Sequence, residues 1–162
     1  MLSAIKTLIL QKLGNIENRL IELGLPLPEV KPPVGNYLGS KRIGELLFAS
    51  GRVSDCTGEV GTEVTLEKAK EAARDTVLTI LAIIKQDIHD LDSIAGVLKM
   101  TGFVRSSNSF TEQPKVMDGA SDLLIELFKE KGRHARTATG VAQLPFGASV
   151  QLDITFQIKL ER

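Results

Sequence analysis

The order of the amino acids predicts an α+β fold: one sheet carrying two long helices on one face, with an extra helix ahead of them. Two observations carry that prediction. From Val150 to Leu160, apolar residues (Val150, Leu152, Ile154, Phe156, Ile158, Leu160) alternate with Gln151, Asp153, Thr155, Gln157 and Lys159. A period of two over that length makes a strand with one face on a core and the other polar. Two further stretches, 65–88 and 115–131, repeat their apolar residues every three or four positions, the spacing of a helix that buries one stripe. The resulting order is α-ββ-α-β-α-ββ, without internal repeats.

Taken in order, Leu2, Ile5, Ile9, Leu13, Ile16, Leu20 and Leu23 draw one apolar stripe on an N-terminal amphipathic helix, and Gly24 is a fitting stop. Four of the six prolines fall within LPLPEVKPPVG, a stiff connector. Helix and connector (1–32) are thus set apart from a folded domain over 33–162. Tyr37–Arg42 and Leu46–Val53 read as the two strands of a hairpin turning at Ile43-Gly44-Glu45. Beyond a polar loop, Thr65 is placed to cap a helix whose inward residues are Ala69, Ala73, Val77, Ile80, Ile84 and Ile88. Gly96–Arg105 forms the next strand. A second helix covers Lys115–Lys131, with Val116, Ala120, Leu123, Leu124, Leu127 and Phe128 inward and Gly132 ending it. Two strands finish the chain around a Leu144-Pro145-Phe146-Gly147 turn. The polar face of the last strand turns either to water or to other subunits.

Composition narrows the function classes. Lysine plus arginine and aspartate plus glutamate number 20 each, so the chain is formally neutral. Nucleic-acid binders of the electrostatic kind carry a basic surface, and one Tyr, six Phe and no Trp leave few platforms for stacked bases. The lone Cys56 excludes an internal disulfide and suits a reducing compartment. No apolar run approaches the ~18 residues of a membrane span. Residues 1–14 have two lysines and no acid, yet they continue the helical stripe and show no cleavage pattern. The expected location is the cytoplasm.

No metal constellation is evident: His89 and His134 are far apart, Cys56 is solitary, and neither a P-loop nor GxGxxG is present. The chemistry that remains is recognition. In Gly132–Asp153, Arg133, His134 and Arg136 precede a strand, and Gln151 and Asp153 lie on the next. Arg136 has two readings, a two-bond clamp on a carboxylate or a surface ion pair with Glu126 or Glu130. His134 either exchanges protons or bonds to backbone. Tyr37 either closes over a ligand or caps the core.

Tyr37 after Gly35-Asn36, the segment LLFASGRV and above all HARTATGVAQLPFGASVQLDITF resemble the RidA (YjgF) family of reactive-intermediate enamine/imine deaminases, over about 33–159. The stretch QPKVMDGASDLLIELFKEKGRHAR resembles a branch with a longer second helix region. The resemblance implies a chorismate-mutase-like mixed sheet assembled as a homotrimer with clefts between subunits. It implies that Arg136 holds a substrate carboxylate and that Tyr37, Ser50, Gly51 and Thr137 line the same cleft, with no cofactor. The implied reaction is hydrolysis of 2-imino or 2-enamino acids to 2-oxo acids and ammonia.

One position departs from that pattern. Where the deaminases carry a glutamate, this chain has Gln151, which orients water but cannot take its proton. General-base catalysis is worth ~10²–10⁴-fold, so the exchange bears directly on turnover. His134 and Asp153 are the candidate replacements. Three readings follow: an imine hydrolase using Arg136, His134 and Gln151; a trimer that binds small carboxylates or 2-oxo acids without turnover; and an endoribonuclease or translation-inhibitor activity, which the neutral charge disfavours.

Overall fold

In the computed structural model, which describes residues 14–160, the first element is helix α1 (Asn15–Glu22). The expected positions Leu2, Ile5, Ile9 and Leu13 lie outside the described residues. Leu20 anchors α1 in the core, and Gly24 takes the positive φ of 69° that turns the chain out of the helix. Polar latches hold α1 on the domain. The Asp92 carboxylate accepts the Asn15 and Ile16 N–H groups at 2.7 and 2.9 Å, a cap that Gly14 has no side chain to supply. Glu17 is buried against Lys85 at 2.8 Å.

The connector leads to the hairpin of β1 (Ser40–Ile43) and β2 (Leu46–Ala49), closed by Gly44 at φ 57°. Two expectations are corrected here. The first strand begins at Ser40 and not at Tyr37, because Tyr37 N–H folds back to the Gly35 carbonyl at 3.0 Å. The expected strand Leu46–Val53 is two pieces, β2 and β3 (Arg52–Val53). Ser50 interrupts it: its N–H bonds the Gly39 carbonyl at 2.9 Å and its hydroxyl donates to the Leu38 carbonyl at 2.6 Å.

Helix α2 (Leu66–Ile88) is capped as predicted, with Thr65 Oγ1 accepting the Lys68 N–H at 3.3 Å. Ala69, Ala73, Val77, Ile80 and Ile84 are fully buried. A single turn, Leu91–Ser93, joins it to β4 (Ile94–Arg105). Helix α3 (Gln113–Phe128) starts two residues before the predicted Lys115, because Pro114 sits in its first turn, where a missing N–H costs nothing. It also ends before the predicted Lys131. Lys129 adopts φ 55°, and a tighter turn, Lys129–Gly132, follows. Gly132 is required there, since a Cβ would meet the Leu124 carbonyl oxygen at 2.2 Å.

Strands β5 (Ala135–Val141) and β6 (Val150–Ile158) complete a six-stranded sheet ordered β1-β2-β6-β4-β5, with β3 also pairing β6. The sheet is mixed: β5 runs parallel to β4 and every other pair is antiparallel. The last two strands are therefore not neighbours, because β4 lies between them. Val150, Leu152, Ile154, Phe156 and Ile158 point into the core beneath α2 and α3, at 1% exposure or less. Leu160, expected to join them, lies past the strand end and is exposed. The two long helices approach closely. A Cβ on Gly119 would meet the Lys70 carbonyl oxygen at 2.1 Å, and one on Gly102 would meet Met117 Sδ at 2.2 Å. No described helix is long and apolar enough to cross a membrane.

Candidate functional site

Arg136 is on the helix face of the sheet. It stands in register with Met100, a fully buried neighbour, and its guanidinium reaches α3. There Nη1 donates to Asp118 Oδ1 at 2.8 Å and to Ser121 Oγ at 3.1 Å. The ion-pair partner is thus Asp118 rather than Glu126 or Glu130, which are taken by Arg19 and Arg133. The Arg136 side chain keeps 25% of its surface open to solvent, so one edge of the fork remains available.

His134 belongs to the same network. Its Nδ1 lies 2.6 Å from the Gly132 carbonyl and its Nε2 lies 3.0 Å from Ser121 Oγ. A carbonyl only accepts, so Nδ1 carries a proton and Nε2 of the neutral ring accepts from the Ser121 hydroxyl. That leaves the Ser121 lone pairs for Arg136. His134 thus makes a bond to backbone, and the ring sets the orientation of the serine beside Arg136.

Tyr37, Gly51 and Gln151 meet elsewhere, in a cavity of about 320 Å³ between the connector, β3, α2 and the Pro145-Phe146-Gly147 turn. Two cations line it, the exposed Lys31, 3.9 Å from Asp55, and Arg52, which sequence reasoning missed. The guanidinium lies 5.8 Å from the centre of the Tyr37 ring, within cation–π range. Its Nε is buried without a hydrogen-bond partner, and no described carboxylate pairs with the side chain. A Cβ on Gly51 would come within 3.2 Å of Gln151 Nε2, so the glycine lets the amide reach the cavity. Phe146 rims the space while 76% exposed and at φ 59°. A bulky residue in that left-handed region costs roughly 1–2 kcal/mol. The Arg105 guanidinium steadies the turn from the sheet by donating to the Gly147 carbonyl at 3.3 Å. Ser50 flanks Gly51, but its hydroxyl is spent on Leu38.

On the open face of the sheet, Gln151 is followed by Asp153, which pairs in register with Thr101. Burial weakens the acidity of Asp153, raising its pKa above the ordinary carboxylate value, while nearby Lys99 acts in the opposite direction. Lys99 Nζ also donates to Thr137 Oγ1 at 2.7 Å, which puts Thr137 on this open face. Within one chain, then, Gln151 and Arg136 do not come together: a strand separates them and their side chains leave opposite faces.

The fold agrees with that of known proteins. The family model described as "YjgF/chorismate_mutase-like, putative endoribonuclease" matches residues 17–156. The chain belongs to the YjgF/Rid family. Protein TCP17 of Trypanosoma cruzi is 41% identical over 152 residues, 90% of this chain and 95% of that protein. The crystal structure of Atu1372 from Agrobacterium tumefaciens, a protein of unknown function, is 41% identical and superposes with a TM-score of 0.83 over 89% of this chain and 92% of its own. Escherichia coli TdcF, solved with bound serine, shares the fold at 20% identity, with a TM-score of 0.57 over 81% of this chain and 94% of that one.

Proposed function

We propose that the protein is a trimer that captures small 2-imino or 2-enamino acids in clefts between its subunits and hydrolyses them to 2-oxo acids and ammonia. One observation carries this reading: Tyr37, Gly51 and Gln151 line a single cavity with a cation whose charge no described carboxylate neutralises. The cavity suits an anion small enough to fill a few hundred cubic ångströms. Arg136 sits on β5, the edge of the sheet, so a neighbouring subunit is what brings it to another chain's cavity. The open sheet face, with Phe48 exposed among polar residues, suits that neighbour. TdcF, with its bound serine, is a relative that holds a small amino acid.

In this scheme the Arg136 fork takes the α-carboxylate, and Asp118, Ser121 and His134 hold the fork in place. The Gln151 amide orients water toward the C=N carbon. Asp153, on the same face two residues along, accepts the water proton; its raised pKa brings it nearer to the operating pH. The new C–O bond forms as the C=N electrons move to nitrogen. Nitrogen takes up protons, the C–N bond breaks, and ammonia leaves behind the 2-oxo acid.

A second reading, binding without turnover, is favoured by Gln151 itself, since an amide is no base. One experiment separates the two. 2-Iminopropionate is generated in situ with an amino-acid oxidase and its decay is followed with and without the protein. Acceleration that Arg136→Ala and Asp153→Asn each abolish supports hydrolysis. No acceleration, combined with Arg136-dependent binding of 2-oxobutyrate, leaves the binder. Light scattering tests the trimer directly.

A further inference from the structure

Two arginines of similar burial differ in one respect. Arg136 already has an acid, Asp118, and a hydroxyl, Ser121, within hydrogen-bond distance. Among the described residues, Arg52 has the face of Tyr37 against it and a buried Nε without a hydrogen-bond partner. A guanidinium carries five donors, and leaving a buried one unmade costs free energy unless a ligand or water fills it. The fold does nothing to relieve this. The acids that line the same cavity are Glu29 and Asp55, and the fully exposed Asp55 carboxylate stands 3.9 Å from Lys31 instead.

Gly39 accommodates the arrangement from the other side. A Cβ there would collide with Ile83 Cγ2 at 2.6 Å, and Arg52 Nη2 would lie in contact with it at 3.4 Å. The glycine thus lets the chain pass over Ile83 beside the guanidinium. Arg52 thus packs against the Tyr37 ring and beside Gly39, and its side chain lines the cavity that Gln151 shares without a described hydrogen-bond partner.

We propose that Arg52 is a second carboxylate-binding residue of the cleft, so that the preferred ligand is a 2-oxo or 2-imino acid with another carboxylate on its side chain. This rests on the reading of Arg136 as the anchor of the first carboxylate. A monocarboxylic acid satisfies Arg136 alone and leaves Arg52 unmatched; a dicarboxylic acid satisfies both. The ring of Tyr37 then limits the length of the acid that fits between them.

The test compares the affinities of 2-oxobutyrate and 2-oxoglutarate by calorimetry, with light scattering and circular dichroism checking that each variant keeps its assembly and fold. The expected result is a preference for 2-oxoglutarate of about tenfold or more in the unsubstituted protein. Arg52→Gln brings the two affinities level by weakening 2-oxoglutarate far more than 2-oxobutyrate. Arg52→Lys keeps part of the preference, because a point charge attracts a carboxylate without the paired donors. Equal affinities in the unsubstituted protein, or a preference that survives Arg52→Gln, overturn the assignment. Arg136→Ala separates this failure from that of the underlying reading: if it leaves both acids bound as before, Arg136 is not the anchor, and the ratio in Arg52→Gln still decides on Arg52.

Discussion

Arg136 and Arg52 sit on strands of the same sheet, yet their surroundings have opposite designs. Around Arg136 one edge of the fork is tied and the other left open: Asp118 and Ser121 accept from Nη1, His134 orients the serine, and the Gly132 carbonyl orients the histidine. Around Arg52 the contacts are those of shape, a ring and a glycine, with the polar capacity left over. A satisfied network holds a side chain in one geometry, which a clamp needs. An unsatisfied one waits for a ligand. The two regions differ in how a cation is held: by hydrogen bonds at Arg136, by packing at Arg52.

The comparison breaks most visibly at Gly119, which lies between Asp118 and Ser121 on α3. A methyl group there meets the Lys70 backbone and cannot be absorbed by a side-chain rotation. Gly119→Ala is expected to lower stability by about 2–3 kcal/mol, read as a shift of the urea midpoint with an unchanged slope. Because α3 must move, the Arg136 network loosens as well, whereas the Tyr37–Arg52 contact is remote from the change.

Arg136→Ala comes next. It strands Asp118, but that carboxylate is nearly half exposed, so the expected loss of stability is only about 1 kcal/mol. The larger readout is affinity for 2-oxobutyrate, which should fall about tenfold or more. Arg52→Gln sharpens the contrast from the other side. With no acid partner to abandon, stability is expected to stay within about 0.5 kcal/mol by the same denaturation measurement. A large loss would show that Arg52 is a structural residue after all.

The smallest effect concerns Asp153. Its pKa is raised in the folded state, chiefly by burial. Below the ordinary carboxylate pKa both states are protonated and the residue contributes nothing. As pH rises from there to the raised folded value, the unfolded chain releases its proton first, so stability falls across that window and then levels off. Asp153→Asn should remove this decline, leaving the variant slightly more stable near neutral pH and unchanged in acid. Thermal unfolding at a series of pH values between 3 and 7 is the check.

Much of the fold could be read along the chain. The Thr65 cap, the buried stripe from Ala69 to Ile84 and the alternation from Val150 to Ile158 are local patterns, and each was found where it was expected. Errors came where a contact outside the strand or a local backbone turn takes over. Ser50 looks like the middle of a strand until Leu38 and Gly39 capture it, and Lys131 looks helical until Lys129 turns at positive φ. The site was half legible. Tyr37, Gly51 and Gln151 were named and share a cavity, but Arg52 gave no signal beyond its charge. Nothing in ASGRVS says that this arginine lacks a partner, since a missing partner is a property of the whole packed chain.

By itself the sequence determined the periodicities, and with them the type and order of the main elements, because a side chain's exposure repeats at 2 or 3.6 residues whatever surrounds it. The tertiary structure decided which strands are neighbours and therefore which cations are paired. It set β4 between the last two strands, sending Arg136 to Asp118 of α3 and leaving Gln151 on the far face beside Tyr37 and Arg52. Those pairings depend on distances of a few ångströms between residues far apart in sequence, and only a folded chain fixes them.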